Sequence, residues 1–415
     1  MHAAVATAIL CCLAATFSTA GYAPVAPFLV PRTQDVKILL TAQGVGMFLA
    51  LVPAGVAVDR LGSIPVLKSG VSILFLACLV SALSVDFFIQ LVGRILSGAA
   101  ASVMFNSAMA MVMDFFVEPE RGANLGMVLG IGTLGNVAGP PITTGLFAFC
   151  KAHGTPEPQA LPMLIPAVIV TVALLTLQRI PQRASALVSA KTPLVEGGIE
   201  DEKNQSAEAS IKQGTVACAT SFFGLYGVGD CRVWVIAAVL SLLFGTMAAL
   251  MGASSLDMKA RGYHAAVVGL TAVPAGAAQM VLARVGGRFC ESRRSRMIVM
   301  VIGSLGLAVG LLLVVLGSRF APLAAKYVSA MLLASSAMAF VDAASISEMG
   351  HLATEWNIGY GQSVMASELA VTLGQSLGPY VGILILEAAS FDALCLSAAG
   401  AAVFVGLAGI GIMPS

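Results

Sequence analysis

The chain has 415 residues, of which 58% are hydrophobic and only 10% charged, with a mean hydropathy of +0.93 and a formal net charge of +1. About a quarter of the residues of a soluble globular domain are charged, so these values exclude one and make lipid the solvent for most of the chain. The near-zero net charge carries little by itself.

Apolar windows of about 20 residues, long enough to cross a hydrocarbon core of about 30 Å, predict twelve helices. They lie at 3–30, 37–58, 64–84, 86–112, 123–148, 161–179, 233–255, 265–283, 297–317, 323–348, 361–386 and 392–413. Runs of this length exclude a β-barrel. No basic leader or A-x-A pattern precedes the first run, so 3–30 is expected as a retained helix, and a span starting so early leaves room for an upstream tail. After the second span comes Gly55-Val-Ala-Val-Asp59-Arg60-Leu-Gly62. Asp59 stands at a helix end, where a charge interacts with helix dipoles and partner arginines and is exchanged cheaply at the water interface.

The fourth window holds Arg94-Ile-Leu-Ser-Gly98, followed by a loop with Asp114 and Glu120-Arg121-Gly122. Burying Arg94 costs about 2.5–3.5 kcal/mol on insertion scales, so a cavity or a carboxylate partner is expected beside it. The fifth window carries Gly135-Asn-Val-Ala-Gly139-Pro140-Pro141, and the eleventh repeats the pattern as Gly374-Gln-Ser-Leu-Gly378-Pro379. Small residues four apart let helices approach closely, and proline removes a backbone donor, so the helix can bend there. Between the sixth and seventh windows, a polar stretch rich in Ala, Ser, Glu, Lys and Gln has no hydrophobic periodicity and reads as a flexible linker. A degraded copy of the first loop, Gly287-Arg-Phe-Cys-Glu291 with Arg293 and Arg294, follows the eighth window. Corresponding glycine and proline breaks in two halves are what alternating-access carriers use around a midplane site.

Two acids fall inside the late windows, Asp342 in the tenth and Glu368 in the eleventh. A carboxyl group in low-dielectric surroundings takes up a proton more readily than one in water, so such acids suit proton or cation handling. Glu368, Thr372 and Gln375 follow i, i+4, i+7, and Ser335, Asp342 and Ser345 follow i, i+7, i+10, which predicts inward polar faces. The eight cysteines are scattered without C-x-x-C spacing, so no metal site is expected. There is no H-E-x-x-H, G-x-S-x-G or P-loop pattern, so neither an intramembrane enzyme nor ATP drive is expected.

The loop after the second span resembles the loop signature of the major facilitator superfamily, where its acid and arginine lock and release helix ends. The resemblance implies a conformational gate of Gly55, Asp59, Arg60, Gly62 and Arg121. The Arg94 segment resembles that superfamily's intramembrane arginine motif, and Gly135 to Pro141 resembles the antiporter motif of the twelve-span drug:proton antiporters. The segment Phe340-Val-Asp342 to Ser345, Met349-Gly350, Tyr360-Gly361 and Ser367-Glu368 through Pro379 resembles the vesicular monoamine and acetylcholine transporters. That resemblance implies proton coupling and substrate transport by Asp342 and Glu368, with Arg94 as a carboxylate partner. The chain departs from those transporters at Ala14-Ala15-Thr16, Gln43 and Ala253, where they carry an aspartate, a lysine and a glutamate.

The expected fold is an all-α membrane protein of twelve transmembrane helices in two six-helix bundles, 1–180 and 233–415, joined by a cytosolic linker at 181–232. The positive-inside rule places Arg60, Lys68, Arg121, Arg179, Arg183, Arg232, Arg284, Arg288, Arg293, Arg294 and Arg296 on the cytosolic side with both termini. The expected function is proton-coupled antiport of a small organic solute, with cationic or amine-like solutes among the candidates, in the plasma membrane or an acidic organelle. Uncoupled uniport of a neutral metabolite, and a non-transporting receptor or scaffold, are the alternatives. The expected partners are a small-molecule substrate, protons and the lipid bilayer, with no cofactor, nucleic acid or nucleotide.

Overall fold

A computed structural model describes residues 2–116, 124, 127–128, 130–178, 230–288, 292–317, 322–355 and 360–411. Among them, eleven helices are long and apolar enough to cross a membrane. The first window divides into α1 (His2–Tyr22) and α2 (Ala26–Leu29). Pro24 cannot donate a helical hydrogen bond, and Pro27 sits in the first turn of α2, where no partner is needed. Next come α3 (Thr33–Leu61) and α4 (Ser63–Leu83), hinged at Gly62, whose φ of 86° favours glycine. Helix α5 (Phe87–Phe115) starts on Asp86, whose carboxylate accepts from the backbone N–H of Phe88 at 2.9 Å and of Ile89 at 3.3 Å.

Helices α6 (Leu134–Ala152) and α7 (Ala160–Gln178) complete the first half. Helix α6 is the span that falls outside the apolar set, because its glycines, Pro140, Pro141, Asn136 and Lys151 lower its mean hydropathy. Helix α8 (Cys231–Ala260) is capped by Asp230, so Cys231 and Arg232 at the end of the expected linker are already helical. The single window 265–283 is in fact two helices, α9 (Ala265–Leu270) and α10 (Val273–Arg288), with Pro274 in the first turn of α10. Then follow α11 (Arg293–Gly317), α12 (Leu323–Glu355), α13 (Tyr360–Ala388) and α14 (Phe391–Gly411). Residues 179–229, which include most of the expected linker, lie outside the described residues.

Packing repeats between the halves. Helix α1 packs on α5, α6 and α7, and α8 packs on α12, α13 and α14. Helix α4 packs on α5 and α7, as α11 does on α12 and α14, while α3 pairs with α5 and α10 with α12. Each half has its own apolar core, one around Leu67, Leu74, Met104 and Met111, the other around Leu240, Tyr327, Met331 and Leu311. The halves meet where α3 packs on α13 and α6 packs on α9 and α10. We call the face carrying His2 and Gly411 proximal and the other distal. A third core at the distal face draws on both halves, with Tyr22, Leu39, Leu40 and Phe147 beside Ala265 and Ile383. Polar contacts join the halves there too: Lys37 of α3 forms an ion pair with Glu387 of α13, and Lys259 of α8 donates a hydrogen bond to the Pro27 carbonyl.

Candidate functional site

A cavity of about 150 Å³ lies between the halves. Thr19, Gln43, Asn136, Gln279, Ser335 and Gln375 supply its polar atoms, and Phe244, Met247, Met251 and Met338 supply much of its apolar wall. Two of the amides span the seam between halves: Asn136 Nδ2 of α6 donates to Gln279 Oε1 of α10 at 3.2 Å. Among the described residues, Arg94 is the one charged side chain of the lining, and no acid is among them.

Arg94 is 3% exposed. Its guanidinium lies 4.0 Å from the centre of the Tyr22 ring, and Nη1 donates to the Ser18 carbonyl at 3.2 Å. Tyr22 is held in turn: its hydroxyl donates to Gln90 Oε1 at 3.1 Å, and Gln90 Nε2 donates to the carbonyls of Ser81 and Ser84. The expected carboxylate partner is replaced by a cation–π stack and a backbone carbonyl, and among the described residues Arg94 forms no ion pair. Its Nε is buried without a hydrogen bond.

Asp342 and Glu368 do not line this cavity. Asp342 stands seven residues beyond Ser335 on α12, and Glu368 seven residues before Gln375 on α13. Both steps run toward the proximal face, and at 1.5 Å per residue each is about 10 Å, two helical turns. The two carboxyls lie within electrostatic reach of each other, and Glu368 within reach of Cys12 on α1. Both are half-buried. The expected polar stripes hold only in part. Ser335 and Gln375 face the cavity, but Ser345 Oγ turns to Met300 Sδ of α11, and Thr372 Oγ1 donates to the Glu368 backbone carbonyl at 2.6 Å.

The two glycine motifs do the same job in both halves. A Cβ on Gly139 of α6 would lie 3.1 Å from Gly21 N of α1. A Cβ on Gly378 of α13 would lie 2.9 Å from Gly245 Cα of α8, and Gly245 and Gly374 approach comparably. Gly135 and Gly374 abut the backbones of α1 and α8 in the same way, so each motif is the seam of its own half. Pro140 is buried in α6, and Pro379 reaches the cavity. In the expected gate, Gly55 packs against Met365 of α13 across the halves, Arg60 is exposed and Gly62 makes the turn. The Asp59 side chain and Arg121 lie outside the described residues.

Sequence reasoning missed Glu348. Its fully buried carboxylate pairs with Arg296 Nε at 2.7 Å and Arg293 Nε at 3.3 Å, tying the proximal ends of α11 and α12. An acid closing an apolar window opposite an arginine-rich start was the available signal.

A polytopic bundle of two repeated six-helix halves around a polar cavity at their seam has the architecture of a membrane carrier. The sequence profile described as Major Facilitator Superfamily matches residues 8–365, and the chain belongs to that superfamily as an integral, multi-pass membrane protein. It is 30% identical over 102 residues to the MFS-type transporter ppzB of Metarhizium majus, covering 25% of this chain and 22% of that protein. It is 29% identical over 111 residues to a triacylglyceride transporter of Mycolicibacterium smegmatis, covering 27% of this chain and 20% of that one. The matched segments therefore span about a fifth of these relatives. A crystal structure of a D-xylose-proton symporter superposes with a TM-score of 0.71 at 13% identity, covering 100% of this chain and 98% of that one. A partially occluded, inward-open form of the xylose transporter XylE from E. coli gives 0.69 at 13% identity with the same coverage. At that identity the likeness is one of fold.

Proposed function

We propose that this chain is a proton-linked secondary transporter that moves a small organic solute out of the cytosol in antiport with protons, and not an enzyme. The observation that carries the reading is the arrangement along α12 and α13. Both helices contribute to the cavity at one level and, two turns nearer the proximal face, each contributes one acid to a neighbouring pair. A movement of either helix therefore acts on solute and proton sites together, which is the requirement for coupling by alternating access. The core and ion pairing shared between the halves at the distal face support a conformation closed on that side. The arginine-rich connections, by the positive-inside rule, support a cytosolic proximal face with the termini on it. The likeness of the tenth and eleventh spans to the vesicular amine transporters supports assigning the protons to Asp342 and Glu368. Each proton entering down two pH units supplies about 2.7 kcal/mol, enough for about hundredfold accumulation.

The test is uptake of radiolabelled solutes into acid-inside proteoliposomes by wild type, Glu368→Gln and Asp342→Asn. Antiport predicts uptake that collapses with a protonophore and in both variants, while solute–solute exchange persists. Uptake indifferent to the gradient and to both substitutions would refute coupling and leave uniport.

A further inference from the structure

We infer that the cavity takes an organic anion, a compact solute whose carboxylate pairs with Arg94 while its other polar atoms meet the amides of Gln43, Asn136, Gln279 and Gln375. The inference rests on reading the cavity as the substrate site. Arg94 is charged, nearly fully buried and among the lining residues, and everything described as touching it is neutral: the Tyr22 ring at 4.0 Å and the Ser18 carbonyl at 3.2 Å. Its Nε has no hydrogen bond. A buried guanidinium without a carboxylate is the costly half of an ion pair, and a bound anion supplies the other half. The planar fork of arginine matches a carboxylate with two parallel hydrogen bonds.

The rest of the wall selects in the same direction. No acid is among the described lining residues, so an ammonium group would meet a like charge and no counter-ion there. The acids that would attract a cation stand outside the lining, Asp342 one turn beyond Met338 and Glu368 two turns before Gln375. The amides both donate and accept, so they serve hydroxyl or carbonyl groups of the solute without adding charge. Phe244, Met247, Met251 and Met338 cover its carbon skeleton, and methionine adapts to irregular shapes.

The experiment is equilibrium binding by calorimetry to the purified full chain in detergent at pH 7.4, with benzoate, benzamide and benzylammonium as probes of one skeleton. Benzoate is expected to bind at least tenfold more tightly than benzamide, with benzylammonium weakest. Arg94→Gln should abolish the preference for benzoate while leaving benzamide binding, and Arg94→Lys should keep a reduced preference, because it holds the charge but loses the fork. If Arg94→Gln fails to fold, Arg94→Lys carries the test, and Gln279→Leu, which leaves the charge in place and removes an amide that the bare ring of these probes does not use, should preserve their ranking. Benzoate binding no tighter than benzamide, benzylammonium binding best, absence of benzoate binding, or an unchanged ranking in Arg94→Gln would each overturn the inference. No gradient is present, so the ranking holding while proton-linked flux fails would count against coupling alone. Gradient-driven flux with the ranking lost would count against the anion alone.

Discussion

Replacing Gly378 by alanine puts a methyl group into the seam between α13 and α8. The built Cβ would meet the Gly245 carbonyl oxygen first and lie 2.9 Å from Gly245 Cα and 3.0 Å from its carbonyl carbon, where ordinary contact begins at 3.4 Å. Backbone stands on both sides, so the helices must separate by about one ångström, and overpacking of this kind costs about 1–3 kcal/mol. Alanine returns about 0.5–1 kcal/mol through helix propensity and a less flexible unfolded chain, which leaves a net loss of about 1–2 kcal/mol. Gly139 is the graded comparison. Its Cβ would meet Gly21 N at 3.1 Å and the Phe17 carbonyl at 3.2 Å, so the shift is smaller and the two terms nearly cancel. Gly400 has nothing within 4 Å, and its substitution should stabilise by about 0.5–1 kcal/mol. Reversible unfolding in mixed micelles with increasing sodium dodecyl sulfate measures the three differences. The expected order of stability is Gly400→Ala, wild type and Gly139→Ala together, then Gly378→Ala. Equal stability of Gly378→Ala and Gly400→Ala would show that close helix approach is not what these glycines provide.

Glu348→Gln removes the carboxylate that faces both Arg293 and Arg296 and should cost about 3 kcal/mol in the same unfolding assay, because a buried guanidinium loses its counter-ion. Glu348→Leu combined with Arg296→Met should recover much of that loss, and a double variant as unstable as the single would contradict the pairing argument. Lys37→Met should loosen the distal closure by about 1 kcal/mol or less, since Glu387 is 40% exposed, shifting the ratio of conformers up to about fivefold. Spin labels at Ala152 and Ala389 should report a broader distance distribution, and Glu387→Gln in the Lys37→Met background should add nothing. Asp230 caps α8 and receives Arg232 Nε at 2.7 Å, which holds its carboxyl below the usual range. A depressed carboxyl stabilises above its unfolded value of about 3.9 and ceases to do so as pH falls through its lower folded value. Asp230→Asn keeps the cap, so it should lower the thermal midpoint at pH 7 and approach wild type progressively as pH falls below about 4, meeting it below the lower folded value.

The spans were legible because crossing a bilayer demands a run of apolar residues whatever the neighbours are. The breaks inside the first and eighth windows were not. Proline within a span is compatible with a kink as well as a stop, and only packing at the distal face separates α2 and α9 as helices of their own. Gly139 and Gly378 announced close approach by spacing, as did Gly245 in the series Ser241, Gly245, Ala249, whereas Gly21 carries no such pattern and emerges only from register. Arg94 was legible as a buried cation. Its stack on Tyr22 was not, because helical arithmetic selects a face of α5 but not the helix that meets it. For the same reason Ser345, correctly placed on a polar repeat, turns to Met300 and not to the cavity. Asn136 and Gln279 become one feature only when the halves are brought together.

Two charged side chains within the spans, Arg94 and Glu368, sit on opposite sides of the midpoints of their helices. Arg94 is seven residues from the distal start of α5, and Glu368 is eight from the proximal start of α13, in helices of 29 residues each. In the proposed cycle, a proton reaching Glu368 from the distal face, or a carboxylate reaching Arg94 from the proximal face, therefore traverses roughly three quarters of the transmembrane voltage. At about 2.3 kcal/mol per charge per 100 mV, each of these binding steps alone is worth about 1.7 kcal/mol. Because the two ions carry opposite charge and travel in opposite directions, their currents have the same sign. A potential negative on the proximal side favours both, and occupancy of the two sites would register as a displacement current before any solute had crossed.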